Sequence, residues 1–243
     1  MKQAVVRVYW GCYSEEDRIL RRKKRVDGNI QTLMSNKYTV PFITYCYGLE
    51  NQEMLINSGI PKDSIRLICD EPTMFDPLKE QYYHKIHAIQ LAHEEFDCVL
   101  QEDFDVLPVR KWDDSIWDLL AKGSSFQANL YFYKRAKCLW RKEEQRKLTN
   151  GGCTYTRGKE PIDEIIKVWK RYPNKSVEPA MSRYLDELHG GWIGIEKYRE
   201  LHEIPICNLI RNSPYGKYPT SPNPYLCHWA GLGNCKNRYM ETK

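Results

Sequence analysis

No apolar run in this chain approaches the roughly 20 residues that a helix needs to cross a bilayer. The N-terminal stretch "MKQAVVRVYWGCYSEED" has a short apolar run, no cleavage site and an early turn to charge, so it does not read as a signal peptide. The expectation is a cytoplasmic protein that nothing anchors or exports. No repeat and no low-complexity linker interrupts the sequence. Missing too is any C-x-x-C pair or zinc-finger spacing among the nine cysteines, which stand at 12, 46, 69, 98, 138, 153, 207, 227 and 235. Their number is odd, and several lie inside apolar runs such as "IRLICD" and "FDCVL". Buried free thiols in a reducing compartment are expected, rather than a disulfide framework.

The 243 residues are 42% hydrophobic, enough for one substantial core and too many for a disordered chain. The net charge of +5 is modest but uneven. "RRKKR" (Arg21, Arg22, Lys23, Lys24, Arg25) is an unbroken cationic run, and further cations surround Trp140, including Arg141 and Lys142. Each segment is a solvated face or a contact for a polyanion.

Hydrophobic patterning predicts strands over 4–10, 38–48 and 64–70, then a helix over 79–95 with Tyr82, Ile86, Ile89, His93 and Phe96 on one stripe. A fourth strand begins at Phe96, and "WDDSIWDLL" carries a helix-start signature. Further on, 126–133 and 151–158 read as strands, and 161–171 as a helix opened by proline. From Ile204 the chain is rich in Pro, Asn and Tyr and reads as loop. Strands alternating with helices predict an α/β sandwich with a largely parallel sheet.

The fourth strand, "FDCVLQEDFDVLP", ends in Glu102, Asp103 and Asp105. Carboxylates packed this closely repel unless a positive charge sits among them. Residues two apart on a strand share a face, so Asp103 and Asp105 can offer oxygens to one ion, while Glu102 faces the other way and is expected to pair with a base such as Arg110. Ligands of open α/β sheets bind beyond the carboxyl ends of the strands, where this pair sits. Two carboxylates with few other protein ligands suit Mg²⁺ or Mn²⁺, with phosphate oxygens completing the shell.

"YYHKIHAIQLAHEEFDCVLQEDFDVLPVRKWDDSIWDLL" resembles the core of the GT-A glycosyltransferases, especially the retaining glycogenin-like and galactosyltransferase-like family. Lys85, Asp103 and Asp105 match that family's helix cation and D-x-D motif. "LTNGGCTYTRG" resembles its Asn-Ser/Ala-Gly-Val segment, through Asn150 and Gly152. "CHWAGLGNCKNRY" resembles its His-x-x-Gly-x-x-Lys-Pro-Trp motif: His228 and Gly231 match, Lys236 comes two residues late, and the Pro-Trp is absent. The four motifs occur in the family's order.

The resemblance implies a single GT-A, Rossmann-like α/β/α domain with a mixed, mostly parallel sheet and a loop-rich C-terminal part. Residues 1–108 would form the nucleotide-sugar half and 109–243 the acceptor half. It implies a nucleotide-sugar donor, most simply a UDP-sugar, and transfer with retention. Asp103, Asp105 and His228 would hold Mn²⁺ or Mg²⁺, which stabilises charge on the departing diphosphate as a Lewis acid. Lys85 or Lys236 would add a point charge to the phosphates. Tyr9, Gly11, Cys12 and Tyr13 would lie near the nucleoside. In "SRYLDELHGGW", Asp186 and then Glu187 are the candidates for the acidic residue that positions sugar or acceptor, or acts as a base.

Two other readings stand beside this one. In a nucleic-acid-binding module, the cationic segments would grip phosphates and the D-x-D would be only a turn. A metal-dependent nuclease or nucleotidyltransferase would want a third carboxylate beside the pair. The first two readings merge if the acceptor is a modified base in DNA, flipped out and held by cations on the backbone.

Overall fold

The computed structural model describes residues 1–9, 39–70, 83–104, 106–130, 148–173, 176–211 and 224–230. A six-stranded sheet is built from β1 (Gln3–Tyr9), β2 (Phe42–Tyr47), β3 (Ile65–Cys69), β4 (Cys98–Glu102), β6 (Phe126–Leu130) and β7 (Thr149–Arg157). Its order is β3-β2-β1-β4-β7-β6. The first four strands run parallel, β7 runs antiparallel to both its neighbours, and β6 closes the edge. The sheet is therefore mixed and mostly parallel, as the alternation of strands and helices predicts.

Period-two alternation along β1 sets up the layers. Ala4, Val6 and Val8 face one core, shared with Ile86 and Ile89 of α2 (Tyr83–Ala92), Ile162, Ile165 and Trp169 of α4 (Glu160–Arg171), and Met181 and Leu185 of α5 (Glu178–Leu188). Val5 faces a second core with Leu100, Trp112 and the apolar side of α3 (Ser115–Ala121). Tyr9 belongs to a third cluster with Phe104 and with Leu55 of α1 (Leu49–Asn57). Six of the cysteines fall among the described residues, all as free thiols and five of them buried. No helix among the described residues is long and apolar enough to cross a membrane.

Within the final part, the described residues include two short strands. After α6 (Ile195–His202), β8 (Cys207–Arg211) and β9 (Leu226–Ala230) form a three-stranded sheet with β5 (Val106–Pro108), in the order β5-β9-β8. Short runs rich in Cys, Asn and Pro carry little strand signal alone. Pairing of β9 with β5, and of β8 with β9, supplies what local propensity does not. This small sheet matters for the site, because β9 brings His228 opposite Val106, directly after the D-x-D segment.

Candidate functional site

The site forms where β4 ends. The Asp103 N–H donates to the Gly152 carbonyl on β7 (2.7 Å), and the Val106 N–H donates back to the Asp103 carbonyl (3.0 Å). The chain thus turns across 103–106 before entering β5. The Asp103 carboxylate accepts from Lys85 Nζ at 2.6 Å and from Gln101 Nε2 at 3.0 Å. The Gln101 side chain is itself oriented by Thr154, whose hydroxyl donates to Gln101 Oε1 (3.1 Å). Lys85 is 3% exposed and Asp103 32% exposed, so a buried ammonium on α2 fixes a carboxylate that still reaches solvent. Lys85 also donates to the Gly151 carbonyl (2.9 Å), tying α2 to β7.

β7 is irregular here. Its register against β6 slips between Ala128 and Asn129, so Ala128 faces Thr154 while Asn129 faces Asn150. The slip leaves Gly151, Gly152 and Cys153 as a bulge against β6. Asn150 Oδ1 accepts from the Gly152 N–H (3.1 Å), and Asn150 Nδ2 donates to Glu178 Oε1 (3.1 Å). Glu178, in the first turn of α5, also receives the Gly151 N–H at 3.5 Å. The His228 ring lies against Gly152: a Cβ there would stand 1.8 Å from His228 Cε1, so only glycine fits. Burial pushes the adjacent Cys153 thiol up, which keeps it neutral and leaves it no nucleophile.

Five residues expected from the sequence therefore meet in one place: Lys85, Asp103, Asn150, Gly152 and His228. Tyr9 lies behind them, buried, with its ring edge-on to Phe104 at 5.6 Å. Asp186 and Glu187 sit in the second half of α5. Asp186 accepts from the Tyr198 hydroxyl (2.7 Å), and exposed Glu187 pairs with Arg171 (2.6 Å) and Arg183 (3.6 Å). It is Glu178, eight positions earlier and roughly 12 Å away by helix rise, that reaches the Asn150–Gly152 bulge. Asp105, Gly11, Cys12, Tyr13, Gly231 and Lys236 lie outside the described residues, as do both cationic segments and Trp140.

The expected partner of Glu102 is corrected. Glu102 binds Arg7 at 3.1 Å, both side chains being 0% exposed, because β1 lies beside β4 in the sheet. Arg110 instead stacks on the Tyr225 ring at 3.6 Å and approaches Asp113 at 3.8 Å. Sequence reasoning passed over Arg7, Gln101, Thr154 and Glu178. Two of these carried a signal: a lone cation inside the apolar "AVVRVYW", and an acid immediately before the proline that opens a helix.

Among the described residues, no three His, Cys, Asp or Glu side chains form a metal-binding set. Asp103 and His228 nevertheless offer one carboxylate and one imidazole on either side of the Gly152 cradle, beside the strand pairing that adjoins Asp105. That donor chemistry fits Mn²⁺ or Mg²⁺ completed by phosphate oxygens.

Neither a protein-family model nor a curated protein matches this sequence. Solved structures do match in fold. Mouse xyloside xylosyltransferase 1, in its apo form, aligns over 95% of this chain and 98% of its own, with a TM-score of 0.50 at 11% identity. The WbbM bifunctional glycosyltransferase aligns over 100% of this chain and 49% of its own, with a TM-score of 0.53 at 10% identity. A glycosyltransferase involved in glycosylation of the major capsid of PBCV-1 aligns over 100% of this chain and 98% of its own, with a TM-score of 0.51 at 12% identity. The mixed sheet, with its acidic turn at the end of β4, is accordingly a GT-A-like glycosyltransferase fold.

Proposed function

We propose that this protein is a metal-dependent glycosyltransferase that moves a sugar from a nucleotide-sugar, most simply a UDP-sugar, to an acceptor hydroxyl with retention of configuration. The observation that carries this reading is the convergence of Asp103, Lys85, Gly152 and His228 where the parallel strands end. The likeness to solved glycosyltransferases supports it at the level of fold.

Asp103 and His228, with Asp105, would hold Mn²⁺ or Mg²⁺. The ion supplies Lewis-acid stabilisation of the diphosphate leaving group. Lys85 holds Asp103 in one orientation and so keeps the carboxylate arranged before the donor arrives. The lack of a side chain at Gly152 gives the His228 ring its place against the bulged backbone. Asn150 and Glu178, linked at 3.1 Å, line the opposite side of the bulge and would bind sugar hydroxyls. During transfer the bond from sugar C1 to the phosphate oxygen breaks, and a bond from C1 to the acceptor oxygen forms on the same face. The acceptor proton passes to the departing phosphate oxygen, which leaves as nucleoside diphosphate, so no carboxylate need act as an in-line base.

The test is a screen of nucleotide-sugars for release of nucleoside diphosphate, with and without Mn²⁺. Turnover of one donor that disappears with chelator supports the reading. No turnover of any donor, in the presence of simple sugar acceptors or of water alone, would overturn it.

A further inference from the structure

Arg7 is a cation wholly buried in a central strand, which is a costly place for a charge unless it is paired and hydrogen-bonded. Three of its contacts lie on one short segment. Arg7 Nη2 donates to Glu102 Oε2 at 3.1 Å and to the Val106 carbonyl at 3.1 Å. Its guanidinium also lies 5.6 Å from the centroid of the Phe104 ring, with the Phe42 ring 5.3 Å away. Residues 102, 104 and 106 thus all contact Arg7. Asp103, between the first two, directs its carboxylate to Lys85 instead.

A carboxylate, an aromatic face and a backbone carbonyl, at 102, 104 and 106, bracket the turn at the end of β4. We infer that Arg7 is a positioning residue: it staples the back of the turn at the end of β4 and so holds Asp103 where it meets Lys85. The inference rests on the proposed metal-dependent transfer, and it assigns Glu102 and Phe104 a shared purpose. Glu102 is the counter-charge that allows Arg7 to be buried, and Phe104 is the aromatic face beside the guanidinium, braced by Tyr9. A buried ion pair adds little stability over a well-packed apolar pair of similar volume, so stability alone gives little reason for its presence. The planar guanidinium fork, whose Nη2 donates to a carboxylate and a carbonyl at once, fixes geometry as an aliphatic pair does not.

The experiment compares the parent with an Arg7→Met/Glu102→Leu double variant, which removes both charges together and leaves neither buried alone. Three quantities are measured: thermal midpoint, amide hydrogen exchange, and Mn²⁺ affinity from the signal of free aqueous ion in the presence of UDP. The expected result is a midpoint within a few degrees of the parent, exchange of residues 102–106 at least tenfold faster, and Mn²⁺ affinity at least tenfold weaker. An Arg7→Lys variant keeps the charge but not the fork, and is expected to show the same two losses in smaller measure. Unchanged exchange across 102–106 in a stable double variant would overturn the inference. So would unchanged Mn²⁺ affinity when the parent binds the ion. If the parent itself binds no Mn²⁺, the metal-dependent reading fails, and the exchange data alone still decide whether Arg7 orders the segment.

Discussion

The imidazole of His228 occupies the space that a side chain at residue 152 would need: a built Cβ falls 1.8 Å from Cε1 and 2.4 Å from Nε2. His228 is 3% exposed and its strand is pinned opposite Val106, so the ring has little freedom to retreat. Gly152→Ala is therefore expected to cost about 1–3 kcal/mol of stability by overpacking. It should weaken donor turnover by at least tenfold through displacement of the ring. Chemical denaturation together with diphosphate release checks both. An alanine variant with parental stability and turnover would show that the ring moves aside without consequence.

Lys85 and Asp103 meet at 2.6 Å, with the lysine almost wholly buried. Lys85→Met removes the positive charge that organises Asp103 and the donor to the Gly151 carbonyl. A loss of roughly 10²–10³-fold in kcat/KM is expected, on the scale of removing one preorganised electrostatic group. Asp103→Asn keeps the shape but withdraws the anionic donor, so Mn²⁺ dependence should vanish with turnover while the fold persists. A fully active Asp103→Asn enzyme would remove this aspartate from the site.

Two acids on α5 are separated by their neighbours. Glu178 touches Asn150 and Gly151, whereas Asp186 is bound by Tyr198. Glu178→Gln preserves the acceptor for Asn150 and removes only the charge, and is expected to lower kcat by about 10–100-fold, as for loss of an electrostatic contact to substrate. Asp186→Asn should leave kcat within about twofold, the usual reach of a polar change outside the reacting centre. The reverse ranking, with an inverted anomeric centre in the product, would make Asp186 the catalytic base.

His87, His93 and His202 all have pKa values held below the usual imidazole range, in each case chiefly by burial. Above about pH 6.5 both folded and unfolded imidazoles are neutral, and these residues leave stability unchanged. Below that value the unfolded chain takes up protons that the folded chain refuses, so stability falls as pH falls. For His202, which is 1% exposed, the slope reaches at most about 1.4 kcal/mol per pH unit. Denaturant midpoints from pH 8 to pH 5 should decline below pH 6.5, and less steeply in His93→Gln. A flat profile would contradict the burial of all three.

The cationic run at 21–25 sets one expectation about the acceptor. If it grips a nucleic acid, DNA binding will weaken steeply with added salt, because each neutralised phosphate releases a counterion. Replacing Arg21, Arg22, Lys23, Lys24 and Arg25 with serine should then reduce both affinity and salt slope, while donor hydrolysis by water persists. Unchanged binding in that variant, or none at low salt, would direct the search to sugar, lipid or protein acceptors.

The sequence alone determined the strands whose side chains alternate and the helices whose apolar residues recur at three and four. β1, β2, β3 and α4 were legible because burial demands those periods locally. It also determined that Asp103 stands at a strand end with Glu102 turned away, since successive side chains on a strand point to opposite faces. Which cation would meet Glu102 was not local information. Arg110 is near in the chain, but Arg7 is near in space, because the sheet order places β1 against β4. The same holds for the acid of α5. Helical periodicity predicts a helix face, whereas the bulge in β7 and the packing of α5 beside it decided that Glu178, and not Asp186, would reach Asn150. The strands β8 and β9 formed against their weak local signal because β9 found partners in β5 and β8. Contacts between residues distant in sequence depend on how the layers stack, and only the tertiary structure sets that.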